Sequence, residues 1–188
     1  MNKKLIALCA MALSLLMFGA IASAATPTGK TLLERAKNAY SPARTYTVLH
    51  INQGKTEKEF KYKAAYVPIK DLFDTRVSGI KWDNKTKIAE VTSAGKTLVF
   101  NFSNQKLESS DTKIVLPKEW IRMSQGRTEI NSSVVAYLFD KYSASYKDKE
   151  RDEWEEKLSF LGIKESEAVP GVKDSYLYVY VTFEEKSS

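Results

Sequence analysis

The stretch GIKWDNKTKIAEVTSAGKTLVFNF, residues 79–102, decides the fold class of this chain. Two turn signals, Asp83-Asn84-Lys85-Thr86 and Ala94-Gly95, separate three runs of alternating apolar and polar residues. Because successive side chains of a strand point to opposite faces, the apolar positions of each run share one face. The pattern predicts an antiparallel meander of three strands with one buried face, which contains Ile80, Ala89, Val91 and Leu98 and is anchored by Trp82 and Phe100.

The N-terminal side of this stretch predicts a helix followed by a hairpin. Thr31 and Glu34 stand at capping-box spacing, and an apolar stripe follows, so we expect a helix over residues 31–40 that ends at Ser41-Pro42. Residues 45–51 and 58–66 alternate as strands around a turn at Asn52-Gln53-Gly54-Lys55. The segment PIKDLFD, residues 68–74, then predicts a short helix that begins at proline.

The C-terminal side predicts two further helices and a last strand. Residues 130–142 carry an apolar helical stripe that Asn131 or a following serine can cap. The charge run over residues 147–156 keeps its apolar residues at helical spacing, and Gly162 should stop that helix. SYLYVYVTF, residues 175–183, is typical of a strand. The predicted fold class is therefore α+β, with a small antiparallel β-sheet meander packed against helices.

The N-terminus has the layout of a secretory signal peptide. Lys3 and Lys4 precede an apolar run from Leu5 to Phe18, and the small-residue site Ala22-Ser23-Ala24 follows. The run is short for a transmembrane anchor, so we expect cleavage after residue 24 and no membrane span in the mature chain. This predicts a secreted, extracellular or cell-envelope location. Cys9 leaves with the signal peptide, so the mature chain has no cysteine for disulfides or thiolate metal sites.

The charge of the chain is mildly basic, with a formal net charge of +6 at pH 7. Lys3 and Lys4 are lost with the signal peptide, and the remaining basic and acidic residues are interspersed. Such a distribution favours an ordinary solvated surface. We predict no nucleic-acid partner, while an anionic wall polymer is compatible with the remaining positive charge.

Several motifs of the chain resemble those of one known family. INQGK (residues 51–55) forms a strand end and turn, YVPIKDLF (66–73) opens a helix through Val-Pro, and GIKWDNKTKIAEVTSAGKTL (79–98) gives a strand that ends in Trp-Asp and returns. GRTEINSSVVAYLF (126–139) is a weaker echo, with Ile130-Asn131 in place of Val-Pro. On these residues the chain resembles the copper amine oxidase N-terminal-like, or stalk, domain of secreted bacterial proteins.

The resemblance implies a small antiparallel sheet packed around a helix, in a module that is accessory rather than catalytic. The internal echo predicts two degenerate repeats, the second with an enlarged helical insert. The predicted organisation is a signal peptide at residues 1–24, an N-terminal helical extension at 25–44 and a stalk-like α+β domain at 45–188.

The residues themselves argue against the chemistry in the family name. A copper site of the amine oxidase kind needs three imidazoles, whereas the chain has one histidine, His50, and the sequence setting for a quinone cofactor is absent. We predict no cofactor, no metal site and no catalytic residues. Glu153, Glu155 and Glu156 form the densest acidic cluster, but they flank Trp154 in a charged helix, which favours a solvated face over glycoside hydrolysis.

Tyr176, Tyr178 and Tyr180 are the candidate ligand-binding residues. They share one strand face, where they could form a sugar-stacking platform, although a core or an edge of the sheet explains them equally well. The leading hypothesis is a secreted, non-enzymatic binding module of the cell envelope, with a wall polymer or an envelope protein as partner. Two alternatives remain: a structural protein that self-associates through an exposed edge of the last strand, and a wall-polymer hydrolase whose acids lie in loops.

Overall fold

The computed structural model describes residues 29–40, 45–73 and 76–185, which form four α-helices and eleven strands. The helices are α1 (Leu32–Ala39), α2 (Ile69–Phe73), α3 (Ser132–Leu138) and α4 (Lys149–Leu158), with single 3-10 turns at Lys118–Trp120, Ser143–Ser145 and Ser159–Leu161. The strands are β1 (Tyr46–Gln53), β2 (Thr56–Tyr62), β3 (Tyr66–Pro68), β4 (Gly79–Asp83), β5 (Ile88–Ser93), β6 (Lys96–Asn101), β7 (Lys113–Val115), β8 (Ile121–Ser124), β9 (Arg127–Asn131), β10 (Ile163–Pro170) and β11 (Tyr176–Phe183). The predicted α+β class is confirmed.

The strands form three sheets. Sheet A has the order β10-β11-β1-β2, sheet B the order β3-β9-β8, and sheet C the order β4-β5-β6-β7. Most neighbours are antiparallel, but β1 pairs with β11 in parallel, and β6 pairs with β7 in parallel. Apolar side chains from all three sheets and all four helices meet in one hydrophobic core. The predicted signal peptide and the predicted helix end at Ser41-Pro42 lie outside the described residues.

Helix α1 begins as predicted. The Thr31 hydroxyl accepts a hydrogen bond from the Glu34 amide at 3.2 Å, and the Glu34 carboxylate accepts one from the Thr31 amide at 2.8 Å. This capping box satisfies two amides that have no partner within the helix. Leu32, Leu33 and Ala36 are buried in the common core. Helix α1, within the segment predicted as an N-terminal extension, therefore packs on the same core as the sheets.

The predicted hairpin after α1 is present, but its second strand is shorter than expected. Strand β2 ends at Tyr62 rather than at residue 66, and the chain then forms β3. The residues of β3 pair with β9, about 60 positions further along the chain, with Val67 opposite Ile130. A pairing between segments so far apart has no local sequence signal. The alternation of residues 58–66 therefore predicted one continuous strand where the structure has β2 and then β3.

The predicted meander is confirmed as β4, β5 and β6, but its expected core is partly wrong. Phe100 is completely buried, and Ala89 and Val91 are buried as predicted. Trp82 and Ile80, in contrast, keep 44% and 41% of their surface exposed. Both residues lie on β4, the edge strand of sheet C, which has a neighbouring strand on one side only among the described residues. Ile80 and Trp82 have the correct phase for the apolar face, but they are only partly covered.

The turn between β4 and β5 is held by Asp83. Its carboxylate accepts hydrogen bonds from the amides of Lys85 at 2.8 Å and Thr86 at 3.3 Å. These bonds stabilise the charged form and lower the pKa of Asp83 below its ordinary value. The side chain therefore has the turn role that aspartate commonly has in such loops.

Helices α3 and α4 confirm the two C-terminal helical predictions. Asn131 caps α3 by accepting a hydrogen bond from the Ser133 amide at 3.0 Å, and every residue of α3 is buried. Helix α4 is joined to α1 by Asp148, whose carboxylate lies 2.6 Å from the Arg35 guanidinium. The helical stretch ends at Gly162, which has the positive φ of 70° expected at such a stop.

The last strand lies inside sheet A rather than at its edge. Strand β11 pairs with β10 on one side and with β1 on the other. Both rows of its backbone hydrogen-bonding groups are therefore used within the sheet. The expected exposed edge is wrong, and with it the structural basis for self-association through this strand.

The order strand, helix, antiparallel hairpin occurs twice. Strand β3 leads into α2 and the hairpin β4-β5, and β9 leads into α3 and, after the insert that contains α4, into the hairpin β10-β11. The starting strands of the two units, β3 and β9, pair with each other. This central pairing places α2 close to the tip of the β8-β9 hairpin.

Candidate functional site

A surface groove of about 560 Å³ lies between the edge strand β4, the start of α2 and the tip of the β8-β9 hairpin. Its apolar lining includes Ile80 and Trp82 from β4 and Met123 from β8. Ligand-binding clefts of proteins are typically concave and lined mainly by apolar side chains, with a few polar groups at fixed positions. Volume and lining both place this groove in that class.

The exposed apolar side chains of the groove follow from strand alternation at a sheet edge. Ile80 and Trp82 lie opposite Val91 and Ala89 on β5, so they extend the apolar face of the meander outward. The indole ring of Trp82 packs at a tilt against Phe102, with ring centroids 6.1 Å apart. Met123 adds a third large side chain that is 37% exposed. Three such residues around one groove form an apolar patch that a bound partner would cover.

The rim of the groove carries Lys70, Asp71 and Arg127. Lys70 and Arg127 are exposed, and neither forms an ion pair with any residue that the structure describes. Asp71 accepts a hydrogen bond from the Tyr62 hydroxyl at 2.7 Å. Burial, with this hydrogen bond and the charge of Asp71, raises the pKa of Tyr62, so the hydroxyl remains a donor. The rim thus offers two exposed cations, Lys70 and Arg127, and one carboxylate that already accepts a hydrogen bond.

The three tyrosines predicted to bind a ligand do share one face, as expected from their spacing. Tyr176, Tyr178 and Tyr180 are half-buried on the face of sheet A that points away from the core. Their rings pack on neighbours in the sheet: Tyr180 stacks on His50 at 4.4 Å between centroids, and Tyr176 lies 5.2 Å from Tyr46. These contacts occupy ring surface that a stacked sugar would need. The role of the tyrosines in ligand binding stays a prediction.

The single histidine does not fit a copper site. His50 lies in sheet A beside Glu57 and Glu59, with Nδ1 to carboxylate distances of 3.9 and 3.8 Å, and its ring is stacked on Tyr180. Within the described ranges, no group of three or more His, Cys, Asp or Glu side chains is placed to hold a metal ion. The donor set around His50 lacks the imidazoles that copper amine oxidation requires.

The acidic cluster of α4 takes part in ion pairs on the helix surface. Glu155 lies 3.0 Å from Arg151, and Glu153 lies 3.7 Å from Lys149, both one helical turn away. Trp154, between the two acids, packs on Trp120 with ring centroids 4.8 Å apart. The interactions are those of an amphipathic helix on the core.

The sequence predictions missed the groove because its parts come from distant segments. Lys70, Trp82, Met123 and Arg127 meet only after β3 pairs with β9 and β4 becomes an edge. One local signal was present: Trp82 stands next to the turn residue Asp83, at the end of its strand. Among the described residues, every helix is too short or too polar to cross a bilayer.

Comparison with known proteins supports the family suggested by the motifs. The family model of the copper amine oxidase N-terminal domain matches residues 56–151, just over half of the 188-residue chain. The matched region contains the groove, from α2 through the β8-β9 hairpin. No curated protein and no solved structure gives a significant match to the chain. The motifs, the α+β fold and the family match agree, and the chain belongs to the copper amine oxidase N-terminal domain family.

Proposed function

We propose that this chain is a secreted, non-enzymatic binding module of the cell envelope and that the groove at Trp82 is its binding surface. The observation that carries the proposal is the convergence of three exposed apolar side chains, Ile80, Trp82 and Met123, on one groove. Large apolar residues that remain exposed together commonly mark an interaction site. The secretory signal in the sequence supports a location outside the cytoplasm.

The polar groups of the groove support binding rather than hydrolysis. Cleavage of a glycosidic bond typically uses two carboxyl groups placed on either side of the bond. Among the described residues that line the groove, Asp71 is the single acid, and its carboxylate is engaged by Tyr62. Lys70 and Arg127 are suited to hold an anionic group instead. The proposed partners are accordingly an anionic wall polymer or an envelope protein with an acidic segment.

The proposal is tested by binding of the mature chain, residues 25–188, to separated envelope fractions. Purified wall polymer and solubilised envelope protein are each immobilised, and binding is measured for the wild type and for Trp82→Ala. Tyr178→Ala is the matched control, because it removes an aromatic ring from sheet A without touching the groove.

We expect wild-type binding to one fraction, a loss of at least tenfold in affinity for Trp82→Ala, and little change for Tyr178→Ala. Circular dichroism spectra serve as the control that each variant is folded. Absence of binding to both fractions would refute the proposal. Loss with Tyr178→Ala and not with Trp82→Ala would move the site to the tyrosine face of sheet A.

A further inference from the structure

The edge of β4 that borders the groove is open to another strand. Strand β4 pairs with β5 alone, so the backbone N–H and C=O groups of its other side have no strand partner among the described residues. All five residues of β4 are exposed. Such an edge is a template for pairing with an extended peptide.

The β4 edge carries fewer charges than β2, one of the two edge strands of sheet A, since only Lys81 and Asp83 of its five residues are charged. Strand β2 carries Glu57, Lys58, Glu59 and Lys61 among its seven residues, and charges of this kind discourage pairing with a foreign strand. Strand β4 instead presents Ile80 and Trp82 on its groove side. An apolar pair at a free edge is the arrangement expected where pairing is used.

From these features we propose that the occupant of the groove is an extended, acidic segment of a partner protein that adds as a strand to the free edge of β4. The inference rests on the proposed function and specifies its partner. Backbone hydrogen bonds to β4 would supply affinity, and side chains on alternate positions would supply specificity.

The side chains around the edge define the pattern that the segment should have. One face of the added strand lies next to Ile80 and Trp82, above Met123, and favours apolar residues; the flexible thioether of methionine adapts to their shape. The other face lies next to Lys81, which is exposed and points away from the groove. Lys81 lies opposite Glu90 on β5, whose carboxylate is 3.0 Å from the Lys113 ammonium, so its charge favours a further acidic neighbour on the added strand. At the rim, Lys70 and Arg127 favour further acidic groups.

Backbone pairing distinguishes a peptide ligand from a polysaccharide ligand at this site. A charged sugar chain could stack on Trp82 and contact Lys70 and Arg127, but it would not form a strand ladder with β4. The peptide is favoured because the backbone edge of β4, unpaired among the described strands, and the exposed Lys81, which lies off the groove, are both used by an added strand.

The test begins with selection of random linear decapeptides on the immobilised mature chain, with Trp82→Ala as the counter-selected target. We expect enriched peptides that alternate apolar and acidic residues. Each is resynthesised with backbone N-methyl groups on odd positions or on even positions. Because alternate amides of a strand face opposite ways, one methylated series should bind at least tenfold more weakly and the other nearly normally. Lys81→Gln, which removes the charge without placing a second carboxylate opposite Glu90, should weaken binding of the same peptides several-fold.

Each other outcome overturns the inference. Absence of peptides that depend on Trp82, or equal effects of the two methylation series, would rule out strand addition at β4. Trp82-dependent binding of purified wall polymer without any such peptide would contradict the peptide partner while leaving the proposed function intact. Failure of polymer, envelope protein and peptides alike to bind would contradict both. Unchanged peptide binding by Lys81→Gln would contradict the predicted acidic face of the peptide.

Discussion

Replacement of Trp82 by alanine should lower stability much less than replacement of a core tryptophan. Trp82 keeps 44% of its surface exposed, whereas Trp120 keeps 1% and packs on Trp154. Complete burial of a large apolar side chain contributes roughly 1.5–3 kcal/mol, so about half of it gives Trp82→Ala a cost of about 1–2 kcal/mol. Truncation of a buried tryptophan also leaves a cavity, so Trp120→Ala should cost about 3–5 kcal/mol.

Thermal melts followed by circular dichroism measure the difference. For a chain of this size, 1 kcal/mol corresponds to about 2–4 °C in Tm, so we expect a fall of about 2–8 °C for Trp82→Ala. Trp120→Ala should fall by about 6–20 °C, or fail to fold. Equal falls for the two variants would refute the reasoning, because Trp82 would then belong to the core and could not serve as an open binding surface.

Two further predictions concern the helices. Burial on its own would raise the pKa of Asp148, but hydrogen bonds from Arg35, Tyr137 and the Arg151 amide outweigh it and hold the pKa below the ordinary value of 3.8. The stabilisation is therefore present above that value and lost as pH falls through the folded-state pKa. Urea unfolding should show Asp148→Asn less stable by about 3–5 kcal/mol at pH 7, with the difference narrowing below about pH 4; a constant difference would contradict this. Thr31→Ala should cost about 1 kcal/mol through loss of the capping box, with faster amide exchange in the first turn of α1, and unchanged exchange there would show that the cap is not formed.

Local patterns predicted most elements of the fold. The alternation over residues 79–102 gave the three strands of the meander, and the Thr31 and Asn131 caps marked where two helices begin. These signals depend on residues that are close in sequence, so they can be recognised in the amino-acid sequence before the fold is known. The short helix α2 was predicted for the same reason, although it begins at Ile69, one residue after the proline.

Strand order, in contrast, is set by contacts between distant segments. Alternation shows which side chains share one face of a strand. It does not show whether a further strand pairs with the outer edge of that strand. For Trp82 the phase was right and the neighbour was absent, so an exposed ring was predicted to be buried. For β11 a neighbouring strand was present that the pattern did not predict. Strand β1, about 130 residues earlier in the chain, pairs with β11, so β11 is not at an edge of the sheet. The groove depends on both kinds of information.

The exposed position of Trp82 also changes how the meander is understood. Its inner strands β5 and β6 are scaffold, with Val91 and Phe100 completely buried. Its outer strand β4 has apolar residues on the same face, but on this strand their side chains are exposed. One repeating pattern thus supplies both the core that holds the sheet and the side chains that line the groove.

The most direct test of the proposed function is the affinity of the mature chain for its envelope fraction, measured by biolayer interferometry for the wild type, Trp82→Ala and Tyr178→Ala at a temperature where all three are folded. The groove account predicts at least a tenfold loss for Trp82→Ala and wild-type affinity for Tyr178→Ala. Wild-type affinity for Trp82→Ala would contradict it, because a partner that covers the groove must lose its contact with the exposed indole ring.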